Sequence, residues 1–396
     1  MLSKKTSHLI LLCAISNACS SSAEPSASSG FPDDIAKLGH ADSVLFWTHE
    51  EKLAGFRNYD RLFPTRSVVT DSSVLDLPIR PVDFGRLAYA VNGDTFDIHG
   101  FKEHNRVAGL LAIKNGTIVL EEYGFGNTHD TKWVSYSIAK SVVSMLIGAA
   151  IQDGYIGRVD DSVTDYVPLL RGSAYEDVTI RNLLQMSSGV AWNEDYTDPS
   201  SDLSQEIGMP SLARLEALGR HPRVTDPGAR FNYNTGETHL VGSVLRSAIG
   251  NNLSTYLTEK IWQPFGMESD AYWRLIDAGG AEHGGCCISA TLRDYGRVGL
   301  FALGGGVLAD GTKVVPDGWF EQSTTPATTN DGYGYLWWLG GADSYSAIGI
   351  FGQAISVQPS ENLVIVTHGL WPQATGVEFS AHRSAFFAAL TTMLRD

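Results

Sequence analysis

The sequence predicts an α+β fold: an antiparallel sheet built from N- and C-terminal segments and flanked by helices, with a mainly helical region inserted at about 155–280. Three observations predict it. Two apolar runs near 110–120 are joined by Asn115-Gly116, and strand-like patterns return only after residue 333. Between them lie helical periodicities and loops rich in Gly, Pro, Asp and Ser. At 396 residues the chain suits two compact units, or one large one with insertions.

Taken in order, Lys4 and Lys5 precede an apolar run at 9–15 that is far too short to span a bilayer, so residues 1–18 are expected to be a signal peptide. Ser16-Asn17-Ala18-Cys19 resembles a bacterial lipoprotein cleavage box, although Ser16 stands where Leu is usual. Lipidation of Cys19 and plain secretion both export the chain to the cell envelope, into the periplasm or onto a membrane through the Cys19 anchor. Residues 19–30 are Ser/Ala-rich and suit a flexible tether. The segment 31–84 carries Phe46, Trp47, Phe56 and Phe63 among prolines, with little periodicity, and is expected to wrap the main domain of 85–396.

Asn115-Gly116 tolerates positive φ and suits a type I′ hairpin turn. Residues 137–151 are apolar on nearly every face, which predicts a buried helix closed at Asp153-Gly154. Further helices are expected at 180–186 and 238–249, the second ending at Gly250. Late strands are expected at 333–339, 347–357 and 363–367, and Phe379, Phe386, Phe387, Leu390 and Leu394 mark a closing amphipathic helix.

Composition excludes some classes. Forty-four acidic against 29 basic residues leave a net charge of -15, which argues against a nucleic-acid partner. A chain 43% hydrophobic is not disordered. Four cysteines are too few for a disulfide scaffold, and a bond between the neighbours Cys286 and Cys287 would be strained, so both are expected to be small buried hydrophobes. No C-x-x-C or H-x-x-x-H spacing, phosphate loop or G-x-S-x-G elbow occurs, so neither a metal nor a cofactor is expected. His283 and His368 read as surface or packing residues, and the pairs Asp160/Asp161 and Glu121/Glu122 as solvated acids.

The chemistry points to Ser137-Ile138-Ala139-Lys140 at the start of the buried helix. A spacing of three puts hydroxyl and amine on one helical face. A serine becomes nucleophilic when a neighbour takes its proton, and a lysine can do so where burial leaves its amine neutral. The unpaired N–H groups of a first helical turn can also stabilise an oxyanion. Three further stretches accompany this motif: 179–189 with Ser188-Gly189, 226–236 with Tyr233-Asn234-Thr235, and Gly349-Ile350-Phe351-Gly352-Gln353 in a late strand.

In this order the motifs resemble those of the penicillin-recognising serine hydrolases, the superfamily of class C β-lactamases, D-amino-acid transpeptidases and related esterases. The resemblance implies a β-lactamase/transpeptidase-like fold. It makes Ser137 the acyl-accepting nucleophile, Lys140 its proton partner and Tyr233 the phenol that relays a proton to the leaving group. The backbone N–H groups of Ser137 and Gln353 would form the oxyanion hole. Two departures stand out: Thr235 replaces the usual Asn, and Ile350-Phe351 replaces the usual cation and its neighbour. Both look more like the branch of 6-aminohexanoate-oligomer hydrolases and carboxylesterases. In that branch Trp192, Tyr196, Thr235, Ile350, Phe351 and Gly352 would line the substrate, with packing an equal alternative for Trp192 and Tyr196. The implied activity is an exported serine hydrolase of a small carboxylic ester or amide that is not strongly anionic, since the cation near Ile350 is lost. The alternatives are a β-lactamase or D,D-peptidase, and a non-catalytic envelope lipoprotein that binds peptide or glycan.

Overall fold

The computed structural model describes residues 31–341 and 344–395. The expected signal peptide, Cys19 and the tether lie outside the described residues. Strands β1 (Val107–Lys114) and β2 (Thr117–Tyr123) form the expected hairpin, with Asn115 and Gly116 at φ 51° and 73°. Strands β3 (Trp338–Leu339), β4 (Tyr345–Ile348), β5 (Ala354–Gln358) and β6 (Leu363–Gly369) complete one antiparallel sheet of order β2-β1-β6-β5-β4-β3. Late strand β6 pairs directly with β1, Leu363 opposite Lys114 and Thr367 opposite Leu110.

Five longer helices matter for the site: α1 (His49–Arg57), α2 (Ile138–Gln152), α3 (Thr235–Ile249), α4 (Leu292–Leu303) and α5 (Val377–Met393). Successive strand residues point to opposite faces. Leu111, Ile113, Val364 and Val366 join the core with α2 and α4, while Leu110, Ala112, Leu363 and Ile365 pack with Phe386, Phe387 and Leu390 of α5. A sheet covered on both sides has no polar face, which is why its strands read as continuous apolar runs. Helix α4 lies close to the sheet through Gly296 and Gly299, where a Cβ would fall 2.7 Å from Ile113 and 2.5 Å from Val364.

Several short helices fill the region between α2 and the strand Ala271–Arg274, with α3 the longest after α2. A second sheet, not anticipated, joins Thr65–Val68, Ala271–Arg274, Ile288–Ala290 and Trp133–Val134. Its strands have two to four residues each, too short for a periodicity to show. Segment 31–84 does more than wrap: α1 sends Phe56 against Trp133, Tyr136 and Phe351.

Other expectations are corrected. The run 347–357 is two strands interrupted at 349–353, where Phe351 and Gly352 take φ 62° and 97°. Only Trp338–Leu339 of the run 333–339 is extended, because Gly334 and Leu336 donate into tight turns and the aromatics fill the core. Helix α3 starts three residues early, since Asn234 caps it by accepting from the Glu237 N–H at 2.9 Å. Cys286 and Cys287 are joined as a disulfide, against the expectation; the reversal at Cys287, φ 84°, brings the neighbouring sulfurs together.

Candidate active site

Strand Trp133–Val134 delivers the chain to α2 through Tyr136, which adopts φ 46°. A bulky residue in the left-handed region costs about 1–3 kcal/mol and needs support. The rings of Phe56, Phe351 and Tyr59 supply it at 5.2, 5.3 and 6.3 Å from the Tyr136 ring. The backbone turn places Ser137 at the N-cap of α2 with its side chain on a cavity of about 320 Å³.

One turn along, Lys140 is 1% exposed. Its Nζ lies 3.1 Å from Ser137 Oγ and donates to Thr235 Oγ1 at 3.0 Å and to the Gly285 carbonyl at 2.7 Å. Two amine protons are therefore committed away from the serine. In the neutral amine the remaining position is the lone pair, aimed at Ser137 Oγ. Burial lowers the lysine pKa to about 8, and the negative charge of Glu194 works against that fall.

Tyr233 arrives from the residue before the α3 cap. Its hydroxyl faces that of Ser137, which works against the rise in the phenol's pKa, and its ring centroid is 5.3 Å from Lys140 Nζ. Stacking on Trp338 at 5.7 Å fixes the ring. Burial, then the charge of Glu194, push the phenol well above its ordinary pKa, so it remains a neutral proton donor. The three expected side chains thus meet at one point.

The sequence places Glu194 in a stretch, 189–196, that resembles the branch's substrate entrance, but assigns it no role. Its carboxylate accepts from the Thr235 N–H at 3.0 Å, the Tyr196 hydroxyl at 3.0 Å, the Thr235 hydroxyl and the Trp192 indole N–H. A chain therefore runs from Lys140 through Thr235 to Glu194, using the residue that stands in place of the usual Asn. Glu194 also borders the cavity. The segment 189–196 signals this only by being polar and aromatic beside a Ser-Gly pair.

Of the expected lining residues, Tyr196 and Ile350 border the cavity. Thr235 lies beneath it, holding Lys140 and Glu194. Trp192 does not line it: the indole packs over Gly236, where a Cβ would meet it at 2.9 Å. Phe351 is fully buried among Phe56 and Tyr136 because its positive φ turns the ring inward. Gly352 packs on the Trp371 indole. Gln353 is also away from the cavity, its side chain accepting from Trp133 Nε1 at 3.1 Å and the Gly369 N–H at 2.8 Å. Gly349 and Ile350 border the cavity instead, and a Cβ on Gly349 would lie 3.2 Å from the Ser137 nitrogen.

His283 and His368 are buried, the first against Arg214 and the second stacked on Trp133. Asp160 pairs with Arg181, and Glu121 with Arg293. Away from the cavity, His104, Glu378 and His382 bring ligand atoms within 4.8 Å of one another, but His382 Nδ1 is engaged with the Tyr89 hydroxyl at 2.9 Å.

A helix-start serine, a buried lysine one turn on and a phenol across the crevice define a serine hydrolase of the penicillin-recognising superfamily. The chain matches the Beta-lactamase family over residues 97–370 and belongs to it. It is 29% identical over 302 residues to the 6-aminohexanoate-dimer hydrolase of Paenarthrobacter ureafaciens, covering 70% of this chain and 76% of that one. A Bacillus anthracis structure provisionally named a 6-aminohexanoate-dimer hydrolase superposes with a TM-score of 0.79 at 19% identity, covering 87% of this chain and 95% of that one. A penicillin-binding protein from Bacillus halodurans gives 0.58 at 20% identity, covering 73% and 99%. These two likenesses establish the β-lactamase/transpeptidase-like fold.

Proposed function

We propose that the protein hydrolyses a small linear amide or ester through an acyl-enzyme on Ser137. The observation that carries this reading is the Ser137 hydroxyl, 3.1 Å from Lys140 Nζ, on a cavity that the Tyr233 phenol also borders. With a pKa of about 8, about a tenth of Lys140 is neutral at pH 7. That amine takes the serine proton as Oγ bonds to the substrate carbonyl carbon. The tetrahedral oxyanion would be received by the Ser137 N–H and by one from the turn at 349–353, of which Gly349 and Ile350 border the cavity. Tyr233 gives its proton to the departing amine or alkoxide and takes back the one that Lys140 removed from the serine. Water then repeats the attack on the acyl-enzyme, and the carboxylic acid leaves. The name of the Paenarthrobacter relative supports a linear amide. Thr235 and Ile350, in place of the amide and the cation usual in the superfamily, speak against a β-lactam.

Labelling tests the reading: a fluorophosphonate should modify the wild type and leave Ser137→Ala untouched. Turnover of a chromogenic cephalosporin at rates comparable with an ester would replace it by a β-lactamase. Ligand binding without acyl transfer to any donor would replace it by a binding protein. The exported location rests on Lys4, Lys5 and the apolar run at 9–15. Intact mass of the exported form against Cys19→Ser tests the lipid anchor.

A further inference from the structure

Helix α1 lies upstream of the matched family region, which begins at residue 97, yet it reaches the backbone around Ser137. Phe56 is fully buried, with its ring 5.2 Å from that of Tyr136 and 5.4 Å from that of Phe351. Those two residues carry left-handed backbone on either side of the oxyanion site. Tyr136, at φ 46°, precedes Ser137, and Phe351, at φ 62°, follows Ile350. The two corners are in contact: a Cβ on Gly349 would lie 2.3 Å from the Ser135 carbonyl oxygen and 3.2 Å from the Ser137 nitrogen.

One turn before Phe56, Lys52 is 4% exposed. Its ammonium donates to the Pro372 carbonyl and, at 3.5 Å, to that of Trp371, and it stands 4.8 Å from the centre of the Phe351 ring. The segment it grips holds the turn at 349–353 by two hydrogen bonds. The Trp371 N–H donates to the Phe351 carbonyl at 3.1 Å, and the Phe351 N–H to the Ala374 carbonyl at 2.8 Å. Burying an ammonium costs more than burying a methionine of similar length, so packing alone gives no reason for a lysine here. What the charge adds is direction: it fixes the 371–372 carbonyls and draws the Phe351 ring against α1.

We propose that Lys52 and Phe56 are positioning residues of the oxyanion site: α1 holds the turn at 349–353 against the Tyr136–Ser137 corner, so that N–H groups from both converge on one oxygen. This role rests on the hydrolase reading, and it makes α1 part of the catalytic apparatus.

Kinetics on 4-nitrophenyl acetate with wild type, Lys52→Met, Lys52→Arg and Phe56→Leu test it, with thermal unfolding confirming that each variant folds. Acylation and deacylation both pass through an oxyanion, so kcat reports the site whichever step is slower. Lys52→Met and Phe56→Leu should each lower kcat by about 10- to 100-fold at nearly unchanged KM, the scale of a misplaced donor. Affinity for phenylboronic acid, whose tetrahedral serine adduct places an oxygen on the same N–H groups, should fall by a similar factor. Lys52→Arg should recover part of both losses. Wild-type kcat and boronate affinity in folded Lys52→Met, or a rise in KM alone, overturns the proposal; where Lys52→Met fails to fold, Phe56→Leu decides on the same measures. Fluorophosphonate labelling keeps the two readings apart. A wild type that stays unlabelled removes the hydrolase and this role with it, whereas a labelled wild type whose folded variants turn over normally removes the role alone.

Discussion

Glu194 and Lys140 show how one charge sets the working range of another. Lys140 acts as a base only when neutral, so kcat/KM should climb with pH through about 8. Glu194 raises the lysine pKa, so Glu194→Gln should move that limb to lower pH. A pH–rate profile with the limb unmoved would disconnect the two groups. Tyr233→Phe removes the proton given to the leaving group and should cost about 10²- to 10⁴-fold on an amide, and far less on a 4-nitrophenyl ester whose leaving group needs no proton. Equal losses on the two substrates would remove the phenol from that role. Ser137, Lys140 and Tyr233 were legible because each sits in a local pattern with telling flanks. The contact between Glu194 and Thr235 was not, since it spans a sequence gap of 41 residues that no spacing rule encodes. Trp192 was read as a wall for substrate or a packing residue, and it packs over Gly236 while its indole holds the Glu194 carboxylate.

At the scale of elements, α4 can lie on the sheet only because positions 296 and 299 lack a side chain. Gly299→Ala should destabilise the protein by about 1–3 kcal/mol through overpacking against Val364 and Ile355, measured by denaturant unfolding. A smaller effect would mean that the helix shifts freely. The hairpin at Asn115-Gly116 and helix α2 were readable because turn chemistry and apolar periodicity are local. The break at 349–353 was not, since a phenylalanine at positive φ advertises nothing in its residue type. Aromatics at Tyr333, Tyr335 and Trp337 imitated a strand because all three are buried, although the backbone there turns.

At the scale of the whole molecule, the sheet is completed from opposite ends of the sequence, and β6 occupies a place between β1 and β5 that nothing earlier can fill. A chain cut after residue 362 keeps Ser137, Lys140 and Tyr233 but loses β6 and α5. It should show no cooperative unfolding transition and no fluorophosphonate labelling, and a labelled, cooperatively melting fragment would contradict the architecture. During translation the first hairpin therefore emerges long before its neighbour exists. The sheet therefore cannot close until residues 363–369 have left the ribosome.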